Sequence, residues 1–509
     1  MLAHKLKYKD TFQFSNLILD YLNEDKKLKP FINYFPRKEN FLKQIKLKEK
    51  QKINRNVLVN VLKTQNKSLK LSKKTNDNIS LISYKNTFTV TTGHQLCLCT
   101  GPLYFIYKII STINLCEQLA ELNKGYNFVP VFWMASEDHD LEEINHINLF
   151  KKKLKWNTDQ AGVVGEMSLK NIEEFLFEIK NSFKDFSNNK ILSMFEESYL
   201  KHNNLADATR FLVNELFGKY GLVIIDANCK ELKQQFIKQI KKDIFYNTYY
   251  EYLKKTTDDL SKYYKPQANI RKINFFEISK GRREYITDDF KKKKIENSPE
   301  IFSPNVLMRP LYQEIILPNI SYVGGGAEIS YWLQLKSVFD LENVPLPILV
   351  LRSSIMLISS KQKKVLMKKG FNLKDIFLSK EELHKKYVLN NFSKEISLNK
   401  EYKKLKEIYE KIRLKTSDVG LQSSLQAQIH KQLNWVSNFE KKIIREKKRE
   451  CTNSLNQIDK LKEQLFPNNK LQERNDNFFQ HNISNNDKLI EIIKGAIDPL
   501  SANFVVLEI

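Results

Sequence analysis

Several short stretches of this chain carry residue types that can do chemistry, and they stand where apolar runs end. The stretch "TTGHQ" offers Gly93, His94 and Gln95 directly after "NTFTVTT". "SEDHD" follows "FVPVFWMA" and sets Glu137, Asp138, His139 and Asp140 in a row behind Ser136. Later runs deliver Asp226 and Asn228, then Arg352, Ser353 and Ser354. Carboxylates beside an imidazole can move a proton or orient an amine, and an arginine can clamp a carboxylate through paired hydrogen bonds. A purely structural domain has no need of so much charge at the ends of buried strands, where desolvation is costly. The candidate catalytic residues are therefore His94, Glu137, Asp138, His139 and Asp140.

The glycine-rich "YVGGGAEISYW" is a signal of another kind. Gly324, Gly325 and Gly326 allow close backbone approach, and a helix beginning there would bind an anion. Together with Gly93, His94 and Gln95 they form the expected nucleotide-binding set. The stretch matches neither the G-x-x-x-x-G-K-[ST] loop nor G-x-G-x-x-G, so a tight strand-to-helix turn remains the plain alternative. His139, Glu143 and His146 stand at i, i+4 and i+7, a spacing that one helical face could turn toward a metal. Their order is not that of H-E-x-x-H, and no dedicated protein-built metal site is expected. A metal-dependent hydrolase using "EDHDLEEINH" is the rival reading. Cys97 and Cys99 lack a second ligand pair at zinc spacing, and five cysteines make no disulfide framework. They read as packing.

These residues need a scaffold that brings strand ends together. "NTFTVTT" (86–92) alternates as a strand, and "GPLYFIYKIISTINLCEQLAEL" follows as a helix with an apolar stripe through Leu103, Ile106, Ile110, Ile113 and Leu119. "FVPVFWMAS" (128–136) is a continuous apolar run, as in a strand buried on both faces of a parallel sheet. "YGLVIIDAN" (220–228) and "VPLPILVLRSS" (344–354) are further buried strands. The expected fold is α/β, a parallel-sheet core with helical insertions and a C-terminal α-helical coiled-coil arm. Residues 1–82 read as a helical segment packing on the core, 83–150 as its first half, 151–300 as the strand near 220–228 with helical and connecting insertions, and 301–378 as its second half. Within 379–466 glycine and proline almost vanish and apolar residues recur at three- and four-residue steps, which predicts an antiparallel coiled coil turning near Gly420. Residues 467–509 break helix at Pro467 and return to the core through "FVVLEI". In such open sheets ligands bind beyond the carboxyl ends of the strands.

Bulk composition narrows the function classes. The chain has 509 residues, too many for one hydrophobic core. The formal net charge of +25 is dominated by lysine, whereas phosphate and base recognition favours the planar fork of arginine. A nucleic-acid partner is therefore not expected, and a nucleic-acid or assembly role for the basic arm is kept only as an alternative. No run is long and apolar enough for a membrane helix. "MLAHKLKYKDTFQF" has no apolar signal core, so the cytoplasm is the expected location.

The segments "TGHQ", "TGPLYFIYK", "VPVFWMASEDHDLEEINH", "RPLYQE", "GGGAEISYW" and "LFPNNKLQER" resemble, as a group, the BshC family of bacillithiol-synthesis cysteine-adding enzymes. The resemblance implies a Rossmann-like parallel-sheet core with inserted connecting segments, a coiled coil often paired into a homodimer, and kinship with nucleotidyl-transferring class I synthetases. It implies a cysteine ligase that joins cysteine to the amine of glucosaminyl-malate. A carboxylate is a poor electrophile, so activation by ATP or another nucleotide is expected, with Mg²⁺ arriving on the nucleotide. His94 resembles the nucleotide-facing histidine of the synthetase-like first motif, although Thr92 stands where that motif has another histidine. Glu328 resembles the family's acid after the glycines. Arg309, Tyr312, Glu328 and Arg352 are the candidate substrate contacts.

Overall fold

The computed structural model describes residues 2–183, 190–279, 281–286, 293–415, 417–483 and 488–509. Five strands make the central sheet: β1 (Thr87–His94), β2 (Asn127–Met134), β3 (Val223–Asp226), β4 (Asn319–Gly324) and β5 (Ile348–Leu351). Every neighbouring pair is parallel, and the spatial order is β5-β4-β1-β2-β3. The order reverses between β1 and β4. That is the topological switch point, where strand ends and the loops beyond them splay apart and leave a crevice.

β1 is threonine-rich and buried along almost its whole length, as a central strand covered on both faces must be. It runs past the expected Thr92 to His94, so the histidine is the last strand residue. The crossover from β1 to β2 is helix α1 (Tyr104–Leu122), which is buried nearly all round rather than along one stripe. On its other side it is covered by the helix Leu489–Ala496. Helix α2 (Arg309–Ile316) leads into β4, and the short helix α3 (Gly326–Trp332) leaves it.

The N-terminal region is helical, as expected, and it locks onto the sheet through buried polar contacts. Tyr21 donates to the Leu349 carbonyl of β5 at 2.7 Å, and Lys48 pairs with Glu314 of α2 at 3.0 Å with both side chains fully buried. One part of the helical expectation is corrected: Ala3–Lys7 is a strand. It pairs antiparallel with Asn503–Glu508, which also pairs parallel with Ile355–Ile358. "FVVLEI" thus returns to a separate three-stranded sheet rather than to the central one. Strands assembled from both chain ends are invisible to local periodicity, because the partner lies some five hundred residues away.

The arm comprises α4 (Lys380–Ile396), α5 (Asn399–Arg413), α6 (Val419–Glu450) and α7 (Thr452–Leu465), with α4 and α5 packed against α6. The chain reverses between Arg413 and Val419. Gly420 lies inside the first turn of α6, whose cap is Asp418, so the expected turn position is corrected by a few residues. The insertion before β3 is helical, over Ile172–Ser182, Lys190–Leu200 and Leu205–Phe217. The insertion after it adds the helices Lys230–Gln234, Ile237–Tyr246, Thr248–Ser261 and Lys293–Asn297 and a small antiparallel sheet of Phe275–Ser279, Arg282–Tyr285 and Phe302–Pro304, which leans over the switch point.

Candidate active site

A cavity of about 790 Å³ opens beyond the carboxyl ends of β1, β2 and β4. Gly93, His94 and Gln95 reach it from β1, Glu137 and Asp138 from the turn after β2, and Arg309, Tyr322 and Glu328 from α2, β4 and α3. His94 and the acidic turn therefore share one hollow.

The floor at the switch point is an ion pair. Lys108 of α1 is almost fully buried, and its ammonium donates to the Gly93 carbonyl and to Glu328 Oε1 and Oε2, at 3.0 and 2.8 Å. Tyr322 and the Gly325 backbone N–H, the latter at 2.8 Å, donate to the same carboxylate. Burial alone would raise the Glu328 carboxyl, but Lys108 and these hydrogen bonds hold it below the ordinary carboxylate value. Burial lowers the Lys108 ammonium, and Glu328 opposes that.

His94 sits against two aromatic rings, Tyr104 at 5.3 Å and Phe105 at 5.0 Å. Desolvation, helped by the nearby Lys108 charge, pushes its imidazole down to about 4, so it is neutral at physiological pH. Nδ1 lies 2.9 Å from the Gln95 carbonyl, which can only accept, so Nδ1 carries the proton and Nε2 is the acceptor. Cys97 Sγ stands 3.8 Å from Nδ1, but burial pushes its thiol up to about 12. The cysteines here are packing, as expected. Gly101 is required beside them: its φ is +61°, and a Cβ there would lie 2.6 Å from the Cys97 Cβ.

Gln95 works on the acidic wall. Its side-chain amide donates to Asp138 Oδ2 at 2.8 Å and to Glu143 Oε2 at 2.5 Å, holding two carboxylates together. Glu137 is paired with the buried Lys233 at 3.0 Å. Lys233 also donates to Asn228, while Asp226 accepts from Ser136. The polar residues after β3 are thus struts under the acidic turn. Facing this wall are cations that sequence reading missed. Arg271 and Arg283 come from the second insertion and stack on Phe276, at 6.0 and 4.2 Å. Burial lowers the Arg283 guanidinium, with Glu137 and Asp138 opposing, so the two walls feel one another. The Arg309 guanidinium is held over the rings of Trp133 and Tyr322, at 5.6 and 5.5 Å.

Five expectations about placement are corrected. His139 is exposed and Asp140 caps the turn Leu141–Ile144, and neither lines the cavity. Gly324, Gly325 and Gly326 do not line it either. A Cβ on Gly324 would crowd the Tyr322 ring at 3.0 Å, one on Gly326 would crowd Ile18 at 3.1 Å, and the Gly325 N–H is already filled by Glu328. The glycines allow close packing, and the chain's own acid occupies the position where a phosphate was expected. Tyr312 is fully buried and donates to the Ala227 carbonyl at 2.8 Å. Arg352 is buried under Tyr104 and bonded to Glu473 at 2.8 Å, so it braces the site from behind. The metal spacing fails as geometry, since the helix stops at Ile144 and His146 opens a strand paired with Lys155. Lys108 alone had left a trace in sequence, as a single charge inside "YFIYKIISTI".

Fold and cavity together define a Rossmann-like core with a cavity at its switch point and a coiled-coil arm. Residues 1–353 match the family model described as the bacillithiol biosynthesis BshC N-terminal Rossmann-like domain, and residues 355–509 match the BshC C-terminal coiled-coil domain. The chain belongs to the BshC family. A protein of Flavobacterium johnsoniae named "Putative cysteine ligase BshC" is 42% identical over 99% of both chains. One of the same name from Chloroherpeton thalassium is 30% identical, covering 95% of this chain and 94% of its own. A solved structure described as a "putative arginyl t-RNA synthetase" from Campylobacter jejuni aligns with 84% of this chain and 97% of its own at 10% identity. Its TM-score of 0.23 is too low to support an argument. Among the described residues, no helix is long and apolar enough to cross a membrane.

Proposed function

We propose that this chain is a cysteine ligase, forming an amide between the cysteine carboxylate and the amine of glucosaminyl-malate, with a nucleotide activating the carboxylate. Family membership and the names of the relatives support the ligase reading. The observation that carries it is the meeting of an acidic wall, a neutral histidine and a cationic wall in one cavity at the switch point. An amine fits the first wall and carboxylates or phosphates fit the second.

The glycine turn does not suit a phosphate, because Glu328 fills its N–H. The arginines do suit one. Arg309 Nη2 and Arg283 Nε are buried donors with no hydrogen-bond partner among the described residues, a costly condition that an anionic ligand relieves. A nucleoside triphosphate, its phosphates held by Arg271, Arg283 and Arg309 and its Mg²⁺ carried on phosphate oxygens, would supply the leaving group that makes the cysteine carboxylate an electrophile.

The chain's own residues then do the proton work. Asp138, held by Gln95 beside Glu143, orients the acceptor amine. His94 Nε2, unprotonated, takes the proton that the amine must lose as the C–N bond forms. Glu137 is neutralised by Lys233 and shapes this wall rather than acting as the base. Exposed apolar side chains on the arm, among them Ile412, Leu421 and Trp435, support the homodimer that the resemblance implies.

The test is direct. Purified folded protein supplied with ATP, cysteine and glucosaminyl-malate forms the thiol adduct seen by mass spectrometry, and complete absence of the adduct overturns the reading. Salt-dependent nucleic-acid binding indifferent to His94→Ala would favour the assembly-protein alternative instead.

A further inference from the structure

Lys108 poses a question that packing does not answer. Its side chain is 4% exposed, on a helix otherwise lined here with Phe105, Ile106, Tyr107, Ile109 and Ile110. Taking an ammonium out of water is expensive, and a buried ion pair is often no more stabilising than apolar side chains of the same volume. If the only task were to hold β1 against β4, a methionine or leucine would serve. The charge is instead set at one place: against the last carbonyl before His94, at the switch point, on the floor of the cavity.

The surroundings of His94 show what a fixed charge does there. Lys108 faces it from α1 and Glu328 from α3. Arg352 faces it from the turn after β5, behind the Tyr104 ring. Cys97 stands 3.8 Å from Nδ1, and Gln95 links the histidine's own loop to Asp138 and Glu143. The Glu328 carboxylate favours an imidazolium. Lys108 and Arg352 oppose it, and Arg352 is already matched to Glu473. Burial is the larger cause of the neutral ring, and Lys108 is the strongest charge acting with it, while its bond to the Gly93 carbonyl fixes the backbone from which the ring projects.

We infer that Lys108 is a positioning residue that acts through His94: anchored on the Gly93 carbonyl and the Glu328 carboxylate, it sets the ring's place and keeps Nε2 free to accept a proton. The inference rests on the ligase reading only for what that acceptor is used for. The state of His94 can be read without any turnover.

The experiment follows the histidine signals of the full-length protein by NMR across pH, with His94 assigned by its loss in His94→Gln. In the unaltered protein His94 stays neutral down to about pH 4. In the paired variant Lys108→Met with Glu328→Gln, which removes both charges, its midpoint rises by about one pH unit or more, a tenfold gain in proton affinity. If that variant fails to fold, Lys108→Gln with Glu328→Gln, which also leaves no charge unpaired and keeps a donor for the Gly93 carbonyl, gives the same readout. An unchanged midpoint in the folded variant overturns the inference and leaves Lys108 a structural peg. So does a His94 that titrates near the ordinary histidine value before any substitution. Failure of the ligase reading would show in the adduct assay alone and leave this titration untouched.

Discussion

Arg352 Nη2 donates to Glu473 Oε1 at 2.8 Å, across a separation of 121 residues, and both side chains are at least 95% buried. The second carboxylate oxygen accepts from the Ile355 N–H at 3.2 Å, and the adjacent Gln472 bonds the backbone of Leu357. The segment following the coiled-coil arm is thus sewn to the strand that leaves the central sheet. Arg352 in turn lies under Tyr104, whose ring contacts His94.

Breaking this pair from one side leaves a buried charge without a partner. Glu473→Gln should lower the unfolding free energy by about 3 kcal/mol or more, read as a drop in the urea midpoint. Arg352→Met with Glu473→Met should cost clearly less than the sum of the two single changes. Equal and additive losses would mean the pair contributes nothing as a pair.

The cysteines should behave as packing. Burial raises the thiols of Cys97, Cys99 and Cys116, and Cys229 is pushed up to about 12. Cys451 is only half-buried, and burial raises its thiol as well. With a disulfide reagent at neutral pH, Cys451 should label first in the native protein. Cys97, Cys99 and Cys116 should label only on unfolding. Rapid native labelling of Cys97 would contradict the buried thiol beside His94.

Asp243 makes stability depend on pH. Burial pushes its carboxyl up to about 7, while hydrogen bonds from the Asn274 backbone and side chain work against that. In the unfolded chain it has the ordinary value of 3.8 and releases its proton first. The stability from its protonated form is therefore complete below about pH 4 and is lost as pH rises through about 7. Asp243→Asn should flatten this dependence. The unfolding free energy from urea curves should fall between about pH 5 and about pH 8 by a larger amount for the natural chain than for the variant, by a few kcal/mol at most.

Activity should separate the residues that line the cavity from those that do not. His94→Ala should lower adduct formation at least a hundredfold, about the worth of one positioned acid–base group. Asp138→Asn should raise the KM for the amine substrate. His139→Ala should leave turnover within about twofold, because the ring is exposed outside the cavity. Asp140→Ala should lose about 1 kcal/mol of stability through its cap and little activity. A His139 variant as inactive as the His94 variant would refute this assignment.

Much of the scaffold was legible in the residues themselves. Strands β1, β2, β3 and β5 announce themselves as apolar or β-branched runs, since a strand buried on both faces has no polar side to show. The arm announces itself by period and by the absence of glycine and proline. The resemblance carried by "TGHQ", "GGGAEISYW" and their companions led to the family that the comparisons confirm. His94, Glu137 and Asp138 stand together because strand ends of a parallel sheet share one rim.

What the linear chain could not determine was the direction of side chains and the partners that neutralise them. "SEDHD" presents four ionisable residues alike, yet a turn after β2 sends Glu137 and Asp138 inward and His139 outward. Arg352 and Arg309 look equivalent in sequence. Only folding reveals that one is matched to Glu473 while the other has a buried donor left open. Arg271 and Arg283 come from an insertion whose composition reads as solvated surface, and Lys108 from the middle of an apolar helix. The period of a hydrophobic pattern follows from local geometry, which neighbouring residues dictate. The placement of a buried charge follows from the pairing that offsets its desolvation, and here the partners lie from 15 to more than 200 residues away.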